Sequence, residues 1–299
     1  MIKEEQIRRK SGRTPGMECR FEHGTDYLVF PAIERTGVVR HLMSTRTGGV
    51  SEGMFATMNL SFTRGDKEEN VKENYRRIAA LLGRRLEDFV CSDQTHTTNI
   101  RRVTAADAGK GVTRPKDYRD VDGMITDELG IVLATFYADC VPLLFVDPVR
   151  RAVGLSHSGW RGTAAGMGAR TVEAMQEAFG SRPENILVGI GPSICQDCYE
   201  VSEDVADAFC ELFGQEALRK GPVGVEDVLS PKGGGKYQLD LWKANEAICL
   251  SAGIRQENIN VTDICTCCNA SWLFSHRASG GKRGNLGMFV TLEERSGNG

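Results

Sequence analysis

Cys140 and His157 are the pair in this chain whose types and spacing suit chemistry. They lie in the stretch ATFYADCVPLLFVDPVRRAVGLSHSGWRGTAAG, residues 134–166. Cys140 stands where two apolar runs meet, the place of a strand end or tight turn, and His157 closes the next run. Asp147-Pro148, a turn signal, falls about halfway between them. A hairpin of that length brings His157 back near Cys140. Gly159, Gly162 and Gly166 then allow close approach of the backbone to a ligand, and the helix that follows offers free N–H groups to an anion. A third candidate, His96, sits in the polar turn SDQTHTTNI, which would expose its imidazole. Its spacing from Cys140 matches no zinc-finger signature. Two imidazoles and a thiolate with an open fourth position form the donor set of a catalytic zinc, which lowers the pKa of bound water to about 7 and polarises a substrate oxygen. Without a metal, Cys140 and His157 could instead be a thiolate nucleophile and its base.

Arginines beside glycines form a second theme: Arg46 in STRTGGVS, Arg161 in GWRG, Arg277 in FSHR, and Arg283 shortly after two glycines. A guanidinium on such a loop suits a phosphate or carboxylate, although for any single arginine a surface salt bridge is the alternative. Asp139 is the nearest acid/base candidate to Cys140, but neighbours along a strand point to opposite faces.

The elements that must carry these residues can be read from periodicity. Helices are expected over 66–82, with a D-x-x-E capping pattern at Asp66 and Glu69 and Gly83 as the stop, over 163–179 before Gly180, from Ser202 to Gly214, and from Asp240 to Ala252. Strands are expected at 27–30, 37–43, 99–103, 131–137, 141–146, 152–156, 186–189, 259–264 and 288–292. Local strand pairing with helices inserted between groups points to an α+β fold: one compact domain of mixed, largely antiparallel sheet over 21–299. Residues 1–20 read as a flexible tail, and Gly221 to Lys236, rich in Gly and Pro, as the best loop candidate. No GxGxxG or P-loop is present, so no dinucleotide or ATP site is expected.

Composition excludes several classes. Lys and Arg number 37 against 40 Asp and Glu, which removes any global electrostatic reason to bind nucleic acid or an anionic membrane. No apolar run reaches the roughly 18–20 residues of a membrane span, and the charged N-terminus lacks the apolar core of a secretory signal. A cytoplasmic protein is expected. The ten cysteines are then expected to be thiols, ligands or nucleophiles more often than disulfides. Cys195 and Cys198, with Cys265, Cys267 and Cys268, could form a second, four-thiolate zinc site. The pairs lie about 70 residues apart, looser than a usual zinc ribbon, and free thiols are the preferred reading.

With these residues in hand the chain resembles the YfiH or laccase-domain family, also described as peptidoglycan editing factor. The resemblance rests on STRTGGVS at 44–51, MNLSF at 58–62, the Gln94-x-His96 loop, VDGMIT at 121–126, ADCVPLLFVDP at 138–148, HSGWRGTAAG at 157–166, GIGPSICQDCYEV at 189–201 and FSHRASGGKRG at 274–284. It implies a fold related to the cytotoxic-necrotizing-factor catalytic domain and one Zn²⁺ held by His96, Cys140 and His157. It implies phosphorolysis of purine nucleosides (adenosine, inosine, methylthioadenosine) with inorganic phosphate as co-substrate, together with adenosine deamination. Cys140, His157, Arg46 and Asp139 are then the catalytic candidates. Arg46, Asn59, Gln94, Arg161 and Arg277 are the substrate-binding ones. Two departures stand out: Thr97 where Gly is commoner, and GGKRG in the last motif.

Other activities attached to this family fare differently. A multicopper oxidase needs on the order of ten imidazoles, and the chain has five histidines. A single blue-copper site could use His96, Cys140 and His157, but its electrons would have no onward route to dioxygen. The zinc-deaminase signature H-x-E…P-C-x-x-C is missing, since Cys195-x-x-Cys198 has no upstream H-x-E. A cysteine amidohydrolase acting on peptide or cell-wall fragments, with Cys140 as nucleophile, is the alternative enzyme, and a purine sensor without turnover the alternative binding protein. The preferred nucleoside, the general acid and the oligomeric state are not written in the sequence.

Overall fold

Asp147-Pro148 turns the chain as its composition predicts. In the computed structural model, which describes residues 1–12 and 15–294, the strands Val141–Asp147 and Ala152–Ser158 pair antiparallel, with Asp147 opposite Ala152 and Pro142 opposite His157. This hairpin is the centre of a six-stranded sheet in the order Ile259–Val261, Leu187–Ile190, Val141–Asp147, Ala152–Ser158, Gly123–Thr126, Ile100–Arg102. A second six-stranded sheet runs Glu18–Glu22, Thr25–Val29, Val39–Ser44, Leu286–Leu292, Val132–Tyr137, Phe89–Cys91. Pairing is antiparallel except at Phe89–Cys91 in one sheet and at both edge strands, Ile259–Val261 and Ile100–Arg102, in the other. The fold is therefore mixed α+β with mostly antiparallel sheets.

The two sheets face each other across an apolar layer that includes Leu28, Met43, Leu133 and Met288 from one and Met124, Leu144, Val153 and Leu155 from the other. The helix Glu68–Leu82 covers the outer face of one sheet through Val71, Tyr75, Ile78 and Leu82. Met167–Phe179, Glu203–Gly214 and Leu241–Ser251 cover the other. A hairpin sandwiched between a sheet and a helix layer is buried on both faces, which is why VPLLFVD and AVGLSHS read as apolar runs without polar alternation. No helix among the described residues is long and apolar enough to cross a membrane.

Several expectations are corrected. The D-x-x-E cap does not form: the first helix starts at Glu68, and the Asp66 carboxylate instead accepts a hydrogen bond from Asn59 Nδ2 at 2.9 Å. The helix expected over 163–179 is two, Trp160–Ala164 and Met167–Phe179, separated by Gly166 at φ 74°, a value that ends an L-residue helix. The expected 221–236 loop contains a helical turn, Val225–Val228, and one arm of the hairpin Leu229–Gly233/Lys236–Leu239. The expected tail is anchored where it is described. Ile7 is buried, Arg9 Nη1 meets Asp263 Oδ1 at 2.8 Å, and Glu18–Glu22 is an edge strand. A charged composition looked unattached because the carboxylates that hold Arg9 and Lys10, Asp263 and Asp197, are remote in sequence.

Candidate metal centre and active site

His96, Cys140 and His157 converge. Their ligand atoms lie within 4.8 Å of one another, and Cys140 Sγ is 4.0 Å from His96 Nε2. The two imidazoles meet edge to face with centroids 4.9 Å apart. Strand register explains the first half of this: Pro142 opposite His157 leaves Cys140 just outside the ladder, at the mouth of the hairpin. The preceding residue, Asp139, has φ 86°, so the chain leaves the sheet in a tight left-handed turn. Gly159 supplies the clearance. A Cβ there would stand 3.0 Å from Cys140 Sγ and 3.0 Å from His96 Cδ2.

The second half depends on Asp122, a residue that spacing did not single out. Its carboxylate is fully buried and accepts backbone N–H groups from Thr95, His96 and Thr97 at 3.0, 3.1 and 2.9 Å, gathering the His96 loop around one charge. The same carboxylate takes His157 Nδ1 at 2.8 Å, which leaves Nε2 of that ring free to ligate. A buried Asp in VDGMIT was the available signal, because a carboxylate amid apolar residues must find several donors. Burial would raise its pKa, but His157 and the loop amides hold it down at about 2.

Burial also opposes ionisation of Cys140, yet the neighbouring His157 charge and hydrogen bonds from both imidazoles bring its thiol down to about 6. For His157 burial is likewise outweighed, here by the Cys140 thiolate and Asp122, which lift it to about 9. Both shifts favour the thiolate–imidazolium form of the pair.

The three side chains open onto a cavity of about 690 Å³, whose wall also carries Phe62, Arg64, Lys116, Phe136, Arg283 and Asn285. Gln94 lines it too, but its amide is spent on Phe136, giving Nε2 to the carbonyl and taking the N–H, both at 2.7 Å. The other sequence candidates fall elsewhere. Arg46 stacks on Phe274 and donates to the carbonyls of Ala56 and Ala270 at 2.9 and 3.0 Å, tying loops together. Arg161 is exposed and lies over Trp160. Arg277 donates to the carbonyls of Cys198 and Glu200. Asn59 is buried and bonded to Ser61, Asp66 and Asn285. Asp139 accepts hydrogen bonds from Thr266 Oγ1 at 2.6 Å and Arg277 N at 2.7 Å, which ties two loops to the turn before Cys140. The cations that do face the cavity are Arg64, Lys116 and Arg283. Lys116 is already paired with Asp93, whereas Arg283 Nε is buried with no hydrogen-bond partner.

Residues 40–293 match the family model described as "Multi-copper polyphenol oxidoreductase laccase". The chain belongs to the laccase-domain, or YfiH, family. The YlmD purine nucleoside phosphorylase of Bacillus subtilis is 36% identical to this laccase-domain chain over 255 residues, spanning 84% of it and 87% of the relative. A purine nucleoside phosphorylase of Deinococcus radiodurans is 36% identical over 87% of this chain and 91% of its own. The crystal structure of YlmD from Geobacillus stearothermophilus superposes with a TM-score of 0.83 at 35% identity, covering 92% of this chain and 99% of the other. The His–Cys–His cluster of the laccase-domain chain is a group that could hold a metal ion.

Asp122→Asn is expected to weaken metal binding about 10- to 100-fold, the usual loss when a ligand's outer partner is removed. The amide would keep one acceptor for the loop N–H groups but no charge for His157. Competition with a graded set of chelators measures it.

Proposed function

We propose that the chain is a purine nucleoside phosphorylase with one zinc ion at His96, Cys140 and His157. The observation that carries the reading is the joining, in one cavity, of that donor set with the half-buried guanidinium of Arg283, whose buried Nε has no hydrogen-bond partner. The residues fit zinc: one sulfur and two nitrogens lie within 4.8 Å of one another, near the span of a tetrahedral site, and Asp122 fixes the His157 tautomer. When bound, the ion would supply Lewis acidity toward a substrate oxygen. Arg283 and Arg64 would hold inorganic phosphate for attack on C1′ of the ribose. As the new C–O bond forms, the C–N glycosidic bond breaks and its electron pair leaves with the purine, which takes up a proton. Phe62 and Phe136 offer faces on which the base can stack. Adenosine, inosine and methylthioadenosine fall within this reading, with adenosine deamination as a side activity. Inosine and phosphate should give hypoxanthine and ribose 1-phosphate in equal amounts. No product from zinc-loaded protein would overturn the proposal.

One observation favours a second reading. Asp122, His157 and Cys140 form a line of orienting carboxylate, base and sulfur, the arrangement of a cysteine amidohydrolase. It predicts activity that survives chelation and is lost on alkylation, whereas the phosphorylase should lose activity with chelator and recover it with zinc. The copper oxidase in the family description is supported less well. Of five histidines only His96 and His157 converge on Cys140, while His41 is buried away from the site and bonded to Phe30 N.

A further inference from the structure

Outside this cavity, four cysteines from two distant Cys-x-x-Cys loops come to one point. The sulfurs of Cys195, Cys198, Cys265 and Cys268 all lie within 4.8 Å of one another, and those of Cys198 and Cys268 are 3.5 Å apart. We propose that they bind a second zinc ion, as a closed four-thiolate structural site.

The separations decide among the chemistries open to such a cluster. A disulfide needs about 2.05 Å between sulfurs, and all four cysteines are free. Four thiolates at the Zn–S distance of about 2.3 Å stand roughly 3.8 Å apart at tetrahedral angles, inside the observed span. A cubane of irons and sulfides would force the thiolates further apart.

The backbone around the sulfurs is built for ligation. Gln196–Cys198 is a tight turn closed by Cys198 N on Cys195 O at 3.1 Å, which returns the second sulfur of the loop beside the first. Cys265 Sγ accepts two backbone N–H groups, from Cys195 at 3.3 Å and from Cys268 at 3.4 Å. A neutral thiol is a weak acceptor for buried amides, whereas a metal-bound thiolate is a good one. The bridge between Ser193 and Cys265, with Thr266 N on Ser193 O at 3.0 Å, locks one loop to the other. Cys267, in the same run, lies outside the group.

The site would join the two loops beneath the N-terminal segment, which is itself tied to both. Lys10 Nζ bonds Asp197, inside the first loop, at 2.6 Å, and Arg8 exchanges two hydrogen bonds with Asn269, just after the second. Net negative charge on a tetrathiolate centre suits that cationic segment. Both loops also reach the active site through Asp139, beside Cys140: Ile194 N bonds its carbonyl at 3.0 Å and Thr266 Oγ1 its carboxylate at 2.6 Å. A metal there would stiffen the turn that presents Cys140 without touching substrate.

The test uses the full-length chain purified with zinc and without chelator. Cys140→Ser should remove the first ion and leave one zinc per chain. Cobalt exchanged into that variant should give the intense sulfur-to-metal charge-transfer and tetrahedral d–d bands of four thiolates. Adding Cys198→Ser and Cys268→Ser should abolish the cobalt bands and lower the thermal midpoint, while Cys267→Ser should change neither. A Cys140→Ser protein that is folded by circular dichroism yet binds no zinc or cobalt would overturn the proposal. So would cobalt bands showing fewer than three sulfurs, or bands that survive loss of Cys198 and Cys268.

Discussion

Replacing Cys140 with serine is expected to lower kcat/KM for phosphorolysis about a thousandfold, equivalent to about 4 kcal/mol of transition-state stabilisation. Serine's hydroxyl stays protonated at neutral pH and is a poor ligand, so His96 and His157 alone must hold the ion. The same variant separates the two enzymatic readings, because a phosphorylase loses the active-site zinc along with activity whereas an amidohydrolase loses activity alone. Zinc content and single-turnover kinetics on one preparation give both readouts. Acid should reproduce the effect with a defined slope. Between about pH 6 and pH 9 the metal-free pair is thiolate and imidazolium, and zinc must displace one proton, from His157. Affinity should then fall about tenfold per pH unit on acidification. Below about 6 the Cys140 thiol also binds a proton, and at least two must be displaced. The loss should steepen to about a hundredfold per unit or more. A flat zinc affinity from pH 5 to 9 would show that this thiol and imidazole are not ligands.

What could be read in advance divides along physical lines. The Cys140–His157 pairing was legible because a hairpin is local: one turn signal between two apolar runs fixes which residues return to the mouth. His96 could be nominated from its polar loop but not located, since the carboxylate that gathers that loop, Asp122, acts through backbone amides and any residue type could supply those. The arginines misled for a related reason. A guanidinium near glycines suits a phosphate and suits a carbonyl equally well, and Arg46 and Arg277 are used to cross-link loops. The four-sulfur cluster was least visible, because the contact that brings its halves together, Ser193 beside Cys265, has no sequence signature. Strands of three residues, such as Phe89–Cys91 and Glu200–Ser202, are too short for a period to show.

Arg283→Ala is expected to raise the KM for phosphate and lower kcat/KM for it by about two to three powers of ten, the cost of deleting one charge-assisted anion contact at a reacting centre. Burial and the like charge of Arg64 bring the Arg283 pKa down to about 10. Its Nη1 rests on Gly284 O and Asn285 Oδ1, while its buried Nε has no partner. A cation held under those conditions gains most from an arriving anion, which relieves the repulsion and fills the vacant donor. Arg283→Lys should recover only part of the loss, because an ammonium restores charge without the planar fork. Arg46→Ala is the control that makes this informative. Its guanidinium is spent on the Ala56 and Ala270 carbonyls, so its loss should lower the thermal midpoint and leave the KM for phosphate within about twofold. The opposite pattern, with phosphate affinity following Arg46 and indifferent to Arg283, would move the anion out of the cavity and away from the His–Cys–His cluster.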